Sequence, residues 1–244
     1  MYQERPSAAV DGAVLWTREQ TADAPARPVL PDGCMDLLWT PGRLFVAGPD
    51  TRAYAPGEGG PRRHAGVRFA PGTAPAVLKV PAHELLDRRV DLADLWGART
   101  ARRLTERIDA APDPAVALED VVLARAADAP FDPLLREVAR LLDDGTSVAA
   151  AAGAVGLGAR QLHRRALVGF GYGPKTLARV LRLQRALALV WRGAPYAGAA
   201  LAAGYADQAH FAREVRALAG MTLGDYCASA KSETPAPSGS STTA

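Results

Sequence analysis

The chain has 244 residues, of which 48% are hydrophobic, and a formal net charge of +3. It holds two cysteines, and no apolar run approaches a membrane span. Cys34 and Cys227 are too far apart in sequence for a CxxC metal site or a disulfide framework, and the opening MYQERPSAAVDG lacks the basic-then-apolar layout of a signal peptide. A reduced, cytoplasmic protein with no membrane partner is therefore expected.

The charge is unevenly placed. Residues 1–130 hold 16 Lys+Arg against 18 Asp+Glu, whereas Gly145 to Lys231 holds 11 against 3. A basic C-terminal segment suits a polyanionic partner, although a solvated helical face would show the same excess.

To about Val80 the chain is rich in Gly and Pro and broken into short apolar runs. AVLW, MDLLW, RLFVAG, HAGVRFA and AVLKV are strand-sized, and Pro31-Asp32-Gly33, Pro41-Gly42 and Pro71-Gly72 separate some of them. These predict a β-rich domain over residues 1–90, a small barrel or sandwich. From Leu92 to Ala127 the pattern becomes helical, with Leu92, Leu95, Trp96, Leu104 and Ile108 roughly on one face. Asp113-Pro114 opens a second helix through Val116, Leu118, Val121 and Val122. Residues 91–130 thus read as a helical linker whose apolar stripes suit a homodimer contact. Pro130 marks a boundary.

Asp132-Pro133 then supplies an N-cap and a first-turn proline for a helix through Leu134, Leu135, Val138, Leu141 and Leu142, which Gly145 stops. Beyond it lies an approximate repeat. SVAAAAGAVGLGARQLHRRALVGFGYGPKTL and APYAGAALAAGYADQAHFAREVRALAGMTLGDY each contain a short Ala-rich helix, a Gly turn, a mixed helix, and a Gly before another helical start. The predicted helices are Val148–Val155 and Ala159–Val168, broken at Gly156-Leu157-Gly158, and Ala197–Ala203 and Asp207–Ala219, broken at Gly204-Tyr205-Ala206. Alanines allow close helix approach, the glycines permit a sharp turn, and Leu157 and Tyr205 are placed to plug the angle.

Each second helix has an apolar inner face: Leu162 in the first copy, and Phe211, Val215 and Leu218 in the second. The outer faces offer Arg160, His163, Arg164 and Arg165, or Gln208, His210 and Arg213. Arg reads guanine and Gln reads adenine by paired hydrogen bonds, and a reading helix enters the major groove by its first turns. Between the copies, Pro174 to Trp191 predicts one helix, about 28 Å long if counted from Gly173 at 1.5 Å per residue. Major-groove faces on one side of a duplex repeat at about 34 Å, so such a rod could set two reading heads a turn apart. The competing reading is an ordinary helical domain. The tail SETPAPSGSSTTA, in 231–244, lacks core formers and reads as disordered.

GLGARQLHRRA…GYGPKTLARVLRLQRAL and LAAGYADQAHFAREVRALAGMTLGDY resemble the C-terminal domain of the AraC/XylS family of transcriptional regulators, over about residues 131–230. The resemblance implies a double helix-turn-helix domain whose base-facing positions are Arg160, His163 and Arg164 in one helix and Gln208, Ala209, His210 and Arg213 in the other. Four positions depart from the family pattern. Gly158 stands where Ser is common, Ala166 and Val215 where Phe is usual, and Leu223 where the second copy usually has Pro. Phe170 is expected to offset the aromatic missing at Ala166. The N-terminal stretch LPDGCMDLLW…LFVAGPDTRA…GVRFAPGTAPAVLKVPAHELLDRRVDLADLWG resembles a domain of ill-defined role on one branch of these regulators, which by analogy senses or dimerises.

The expected whole is an α+β protein: a β-rich N-terminal half and an all-α C-terminal half with two helix-turn-helix units. Its expected function is sequence-specific binding of double-stranded DNA, modulated through the N-terminal domain. A small-molecule effector, a homodimeric state and, for an activator, RNA polymerase are the partners this implies. Neither an enzyme nor a cofactor is expected. The alternative is a small-molecule-binding or hydrolytic protein whose helical half is only structural. For that alternative, Asp32, Cys34, Asp36, His64 and His83 are the groups to weigh, since a cysteine with a distant histidine can form a nucleophile pair. PDGCMD, however, also reads as a turn entering a strand. Asp50 and Arg52 read as a turn rather than a ligand site.

Overall fold

A computed structural model describes residues 2–8, 10–20, 28–56, 62–127 and 131–231. Pro130 and residues 232–244, nearly all of the predicted disordered tail, lie outside the described residues. The N-terminal half is built on one antiparallel sheet of six strands: β1 (Tyr2–Pro6), β2 (Val14–Gln20), β3 (Met35–Thr40), β4 (Arg43–Ala47), β5 (Arg62–Phe69) and β6 (Arg89–Asp91). Their order is β1-β2-β5-β3-β4-β6, so β1 and β6 are edges and the sheet stays unclosed. The β-rich domain expected from the sequence is present. Its form is a single open sheet covered by helices, in place of a closed barrel or a second sheet.

Alternation sorts the strand residues between the two faces. Leu15, Leu37, Trp39, Val67 and Phe69 are buried in one core. Trp16, Asp36 and Arg68 stand at the neighbouring positions and form a polar cluster. There Trp16 Nε1 donates to Asp36 Oδ1 at 2.7 Å, and Arg68 Nε lies 3.4 Å from both Asp32 and Asp36.

The helices α1 (Ala74–Leu78), α2 (Leu92–Trp96), α3 (Ala98–Asp109) and α4 (Pro114–Ala126) fill the core side, with a single 3-10 turn at Ala82–Leu85. AVLKV is therefore no strand. Pro75 sits in the first turn of α1, Lys79 N–H bonds back to the Pro75 carbonyl at 2.9 Å, and Val77 and Leu78 are both fully buried. Five apolar residues carry too little periodicity to separate a helix turn from a strand, and here the preformed φ of proline decides.

Gly97, with φ +83, breaks the stretch from Leu92 to Asp109 into α2 and α3. Asp113 caps α4 as expected, accepting from Ala115 N–H at 2.9 Å. Ile108, Leu118, Val121 and Val122 join the sheet core. The stripes expected to serve a homodimer thus cover the sheet of their own chain, and on α4 only Val116 and Leu123 remain exposed among the large apolar residues. Arg125 locks α4 in place. Its Nε donates to the Val77 carbonyl at 3.0 Å and its guanidinium lies 3.9 Å from the Trp96 ring.

The C-terminal half is all helical: α5 (Pro133–Asp143), α6 (Val148–Ala154), α7 (Ala159–Phe170), α8 (Pro174–Trp191), α9 (Tyr196–Ala202), α10 (Gln208–Ala219) and α11 (Leu223–Lys231). Two cores form there. Leu135, Val138, Leu142, Leu162, Ala166 and Phe170 belong to the first, and Phe211, Val215, Leu218 and Tyr226 to the second. The long helix α8 enters both, sending Leu177 and Leu181 into the first and Leu183, Ala186 and Leu187 into the second.

Candidate nucleic-acid interface

Each helix-turn-helix unit is folded by local signals. Ser147 caps α6, accepting from Ala150 N–H at 3.2 Å, and Asp207 caps α10, accepting from His210 N–H at 2.6 Å. Gly158 has no side chain to cap α7, and Gln161 Oε1 accepts the Gly158 N–H at 3.0 Å instead. The turns need a left-handed residue, and Gly156 (φ +68) and Gly204 (φ +85) supply it. Tyr205 is 3% exposed and packs against the Phe211 ring at 5.2 Å, plugging the second turn as expected, while Leu157 is half-buried against the first core. The boundaries shift slightly from the sequence reading. The helix α7 runs two residues further, to Phe170, and Asp207 is the cap of α10 rather than its first residue. Phe170 is fully buried beside Ala166 in the first core, where the missing aromatic was expected to be made good.

The predicted reading residues divide by their partners. Arg160, His163 and Arg164 on α7 and Gln208, Ala209 and Arg213 on α10 are exposed. Among the described residues, no carboxylate lies within ion-pair distance of Arg160, Arg164, Arg213 or Arg216. Arg165 differs: its Nη1 lies 2.9 Å from Asp132 Oδ2, and Asp132 also caps α5 through Leu134 N–H at 2.9 Å. His210 is half-buried. Its ring meets Tyr205 edge-on at 5.1 Å, and its Nδ1 accepts from Ala206 N–H at 3.4 Å, which leaves Nε2 as the outward donor.

The arginines of α8 are not free, and the sequence reading assigned them no role. Arg179 makes a forked contact with Glu214 of α10, at 2.8 and 3.2 Å. Arg182 lies 4.5 Å from the Tyr205 ring, and Arg185 donates to the Leu142 carbonyl at 3.1 Å and to the Asp143 carbonyl at the C-terminal end of α5. Through these arginines one rod grips α10 and the second turn from Arg179 and Arg182, and the C-terminal end of α5 from Arg185 further along. The arginines of α8 serve assembly, while Arg160 and Arg164 of α7 and Arg213 and Arg216 of α10 face outward. Sequence spacing shows that Arg179 and Glu214 are polar helix residues, but not that they meet.

The same segment matches a known family. Residues 151–229 match the family described as Helix-turn-helix domain. The C-terminal region therefore holds a helix-turn-helix domain. Residues 6–91, which include β2 to β6 and only the last residue of β1, match the family described as Domain of unknown function (DUF6597). No curated protein matches the chain. Among solved structures, ToxT from Vibrio cholerae at 1.65 Å is 8% identical, covering 93% of this chain and 98% of that one with a TM-score of 0.49. Wild-type ToxT from the same organism bound to an unsaturated fatty acid is 11% identical, with coverage of 91% and 96% and a TM-score of 0.46.

The helix-turn-helix domain is seated on the N-terminal half at both units. A Cβ on Gly171, at the C-terminal end of α7, would stand 2.5 Å from Pro49 Cγ and 3.2 Å from the Ala82 carbonyl oxygen, so the helix end sits directly against both. His83 Nδ1 lies 3.3 Å from the Leu167 carbonyl. At the second unit, Leu30 enters the core around Phe211, Ala53 N–H donates to the Leu218 carbonyl at 2.6 Å, and Gln184 Nε2 donates to the Pro31 carbonyl at 2.6 Å.

The groups weighed for other chemistry are arranged differently. Cys34 is buried, its backbone N–H donates to Asp32 Oδ1 at 2.9 Å, and the thiol is pushed well up, first by burial and then by the Asp32 carboxylate. Its charged neighbours are Asp32, Asp36 and Arg68, whereas His83 lies against α7 and His64 stands on β5 opposite Arg18. A thiol held protonated beside carboxylates is a poor nucleophile. Burial also pushes the Asp36 carboxyl up, against the pull of Arg68. Asp50 is paired with Arg89 at 2.6 and 2.7 Å, holding the turn, while Arg52 is exposed. Among the described residues, no group of three or more His, Cys, Asp and Glu could hold a metal, and no helix is long and apolar enough to cross a membrane.

Proposed function

We propose that the chain is a sequence-specific transcriptional regulator that reads two successive major-groove faces of double-stranded DNA. Arg160, His163 and Arg164 read from α7, and Gln208, Ala209, His210 and Arg213 read from α10. Arg165 acts as a positioning residue, holding α7 to the cap of α5 through Asp132. The observation that carries this reading is the division of the arginines. On α8 they are used inside the domain, whereas Arg160, Arg164 and Arg213 stand free on the two second helices. Unpaired guanidinium groups at those places suit base edges and phosphates.

The N-terminal half modulates DNA binding through its seam with both units. A small-molecule effector would act by altering that seam, and in an activator RNA polymerase is a further partner. The site of action is the cytoplasm. The test is duplex binding measured against salt, using genomic fragments recovered by mapping bound DNA. The logarithm of affinity should fall linearly with the logarithm of salt, with a slope near −0.9 for each phosphate contacted. Weak, salt-independent association with every fragment would overturn the proposal.

A further inference from the structure

We propose that α3 is a docking surface for an acidic protein segment, separate from the DNA-reading face. Arg99, Arg103 and Arg107 follow one another at four-residue spacing, with Arg102 beside them, and all four are exposed. They lie opposite the face that buries Ala101 and Ile108. Among the described residues, none has a carboxylate within ion-pair distance. Like charges four residues apart on a helix repel, and among the described residues Glu106, three residues from Arg103 and four from Arg102, closes no ion pair with either. Several other arginines of the N-terminal half are matched: Arg5 to Glu119, Arg43 to Asp91, Arg68 to Asp32 and Asp36, and Arg89 to Asp50.

Position separates this ladder from the reading helices. The C-terminal residue of α3, Asp109, accepts from Trp39 Nε1 at 2.8 Å and from Gly42 N–H at 3.1 Å, at the turn joining β3 and β4. The opposite ends of those two strands run into Cys34 and Pro49, where the chain meets the helix-turn-helix domain. The length of β3, about 17 Å at 3.3 Å per residue, therefore lies between them.

A protein partner fits this surface better than a second duplex. Beside the ladder is an open recess of about 570 Å³, lined by apolar Leu44, Ala93, Ala98 and Ala101 and by charged Arg43, Arg102, Asp91, Glu106 and Asp109. Asp94 and the recess carboxylates Asp91, Glu106 and Asp109 would repel the uniformly anionic edge of DNA, whereas a segment whose carboxylates meet only the ladder can turn an apolar side chain toward Leu44, Ala93 and Ala98. Arginine suits this task because its fork pairs with carboxylates in two places.

The probe for this surface is a fluorescein-labelled helical peptide with glutamate on one face and leucine on the other. Its binding is followed by anisotropy, to the full chain alone and to the chain saturated with duplex. Expected are binding in both states and a loss of about tenfold in affinity in the Arg99→Gln, Arg103→Gln, Arg107→Gln triple variant. The variant should keep the wild-type affinity and salt slope for duplex, and its Tm should not fall, because it removes like-charge pairs. No binding to the wild-type chain, equal binding to the variant, or displacement of the peptide by duplex would overturn the proposal. A loss of duplex affinity in the variant would assign α3 to nucleic acid instead, and a fall in Tm would assign the arginines to the fold.

Discussion

Arg213 and Arg165 are both exposed arginines on second helices of the repeat, yet they have different surroundings. Among the described residues Arg213 has no carboxylate within ion-pair distance, so its guanidinium is open to a base edge. Replacement by Ala should weaken binding to the mapped site by about 1–3 kcal/mol and relax base preference there. Arg165→Ala removes a pair at the surface with Asp132, so it should lower stability by about 0–1 kcal/mol and leave base preference unchanged. Binding titrations over a panel of base substitutions distinguish the two, and equal relaxation in both variants would contradict the assignment.

Glu119 is a second point at the residue scale. It is 9% exposed and accepts from Ser7 Oγ at 2.7 Å, Ala8 N–H at 2.6 Å and Arg5 at 3.0 Å, tying the end of β1 to α4. Burial pushes its carboxyl up, but the donated hydrogen bonds outweigh burial and hold it below the ordinary glutamate value. A carboxyl more acidic folded than unfolded contributes stability above the unfolded value, and that contribution is lost as pH falls through the folded one. Glu119→Gln should therefore cost about 1–3 kcal/mol at neutral pH, and the gap from wild type should close as both are titrated into acid. Denaturant melts at several pH values measure this, and a constant gap would be contrary to the account.

At the scale of elements, the C-terminal half was largely legible because its signals are local. Asp132-Pro133, Gly156, Pro174, Gly204 and Asp207 each act on the chain within a turn or two, and caps and breaks fell within two residues of the expected positions. The N-terminal half was less legible. YQERP in β1 is mostly exposed and has no strand pattern of its own; it is a strand because β2 pairs with it, Tyr2 opposite Arg18. The short β6 is likewise defined by β4. Whether a sheet closes also depends on residues far apart in sequence, which composition does not report. Among site residues, outward direction could be read from helical spacing, but the Asp132 partner of Arg165 and the Tyr205 contact of His210 arise from packing between elements.

The joint between α8 and α10 gives the element-scale prediction. Arg179 and Glu214 should show a coupling of about 0.5–3 kcal/mol in a double-mutant cycle on stability, Glu214 being mostly buried. If the joint also aims α10, Arg179→Ala should lower duplex affinity even though Arg179 is placed at no base. Additive single effects with unchanged affinity would remove that role.

For the whole molecule, two halves share one frame. The N-terminal half touches both reading units, and α8 belongs to both cores of the helix-turn-helix domain. Gly171 is a sensitive point of this frame, since it combines φ +83 with the close approach of Pro49. Gly171→Ala should destabilise the chain by about 1–3 kcal/mol through backbone strain and the displaced contact. It should also change duplex affinity if the seam governs the readers. Thermal melts beside binding curves check both parts.

The central claim is that one rigid rod presents α7 and α10 to neighbouring grooves on a single side of the duplex. Hydroxyl-radical footprinting of the chain on its mapped site tests this most directly. The account predicts two protected clusters on one face, separated by about 10 base pairs. The Arg164→Ala variant should weaken one cluster and Arg213→Ala the other. A single protected patch that both substitutions affect alike, or two patches on opposite faces of the helix, would contradict it.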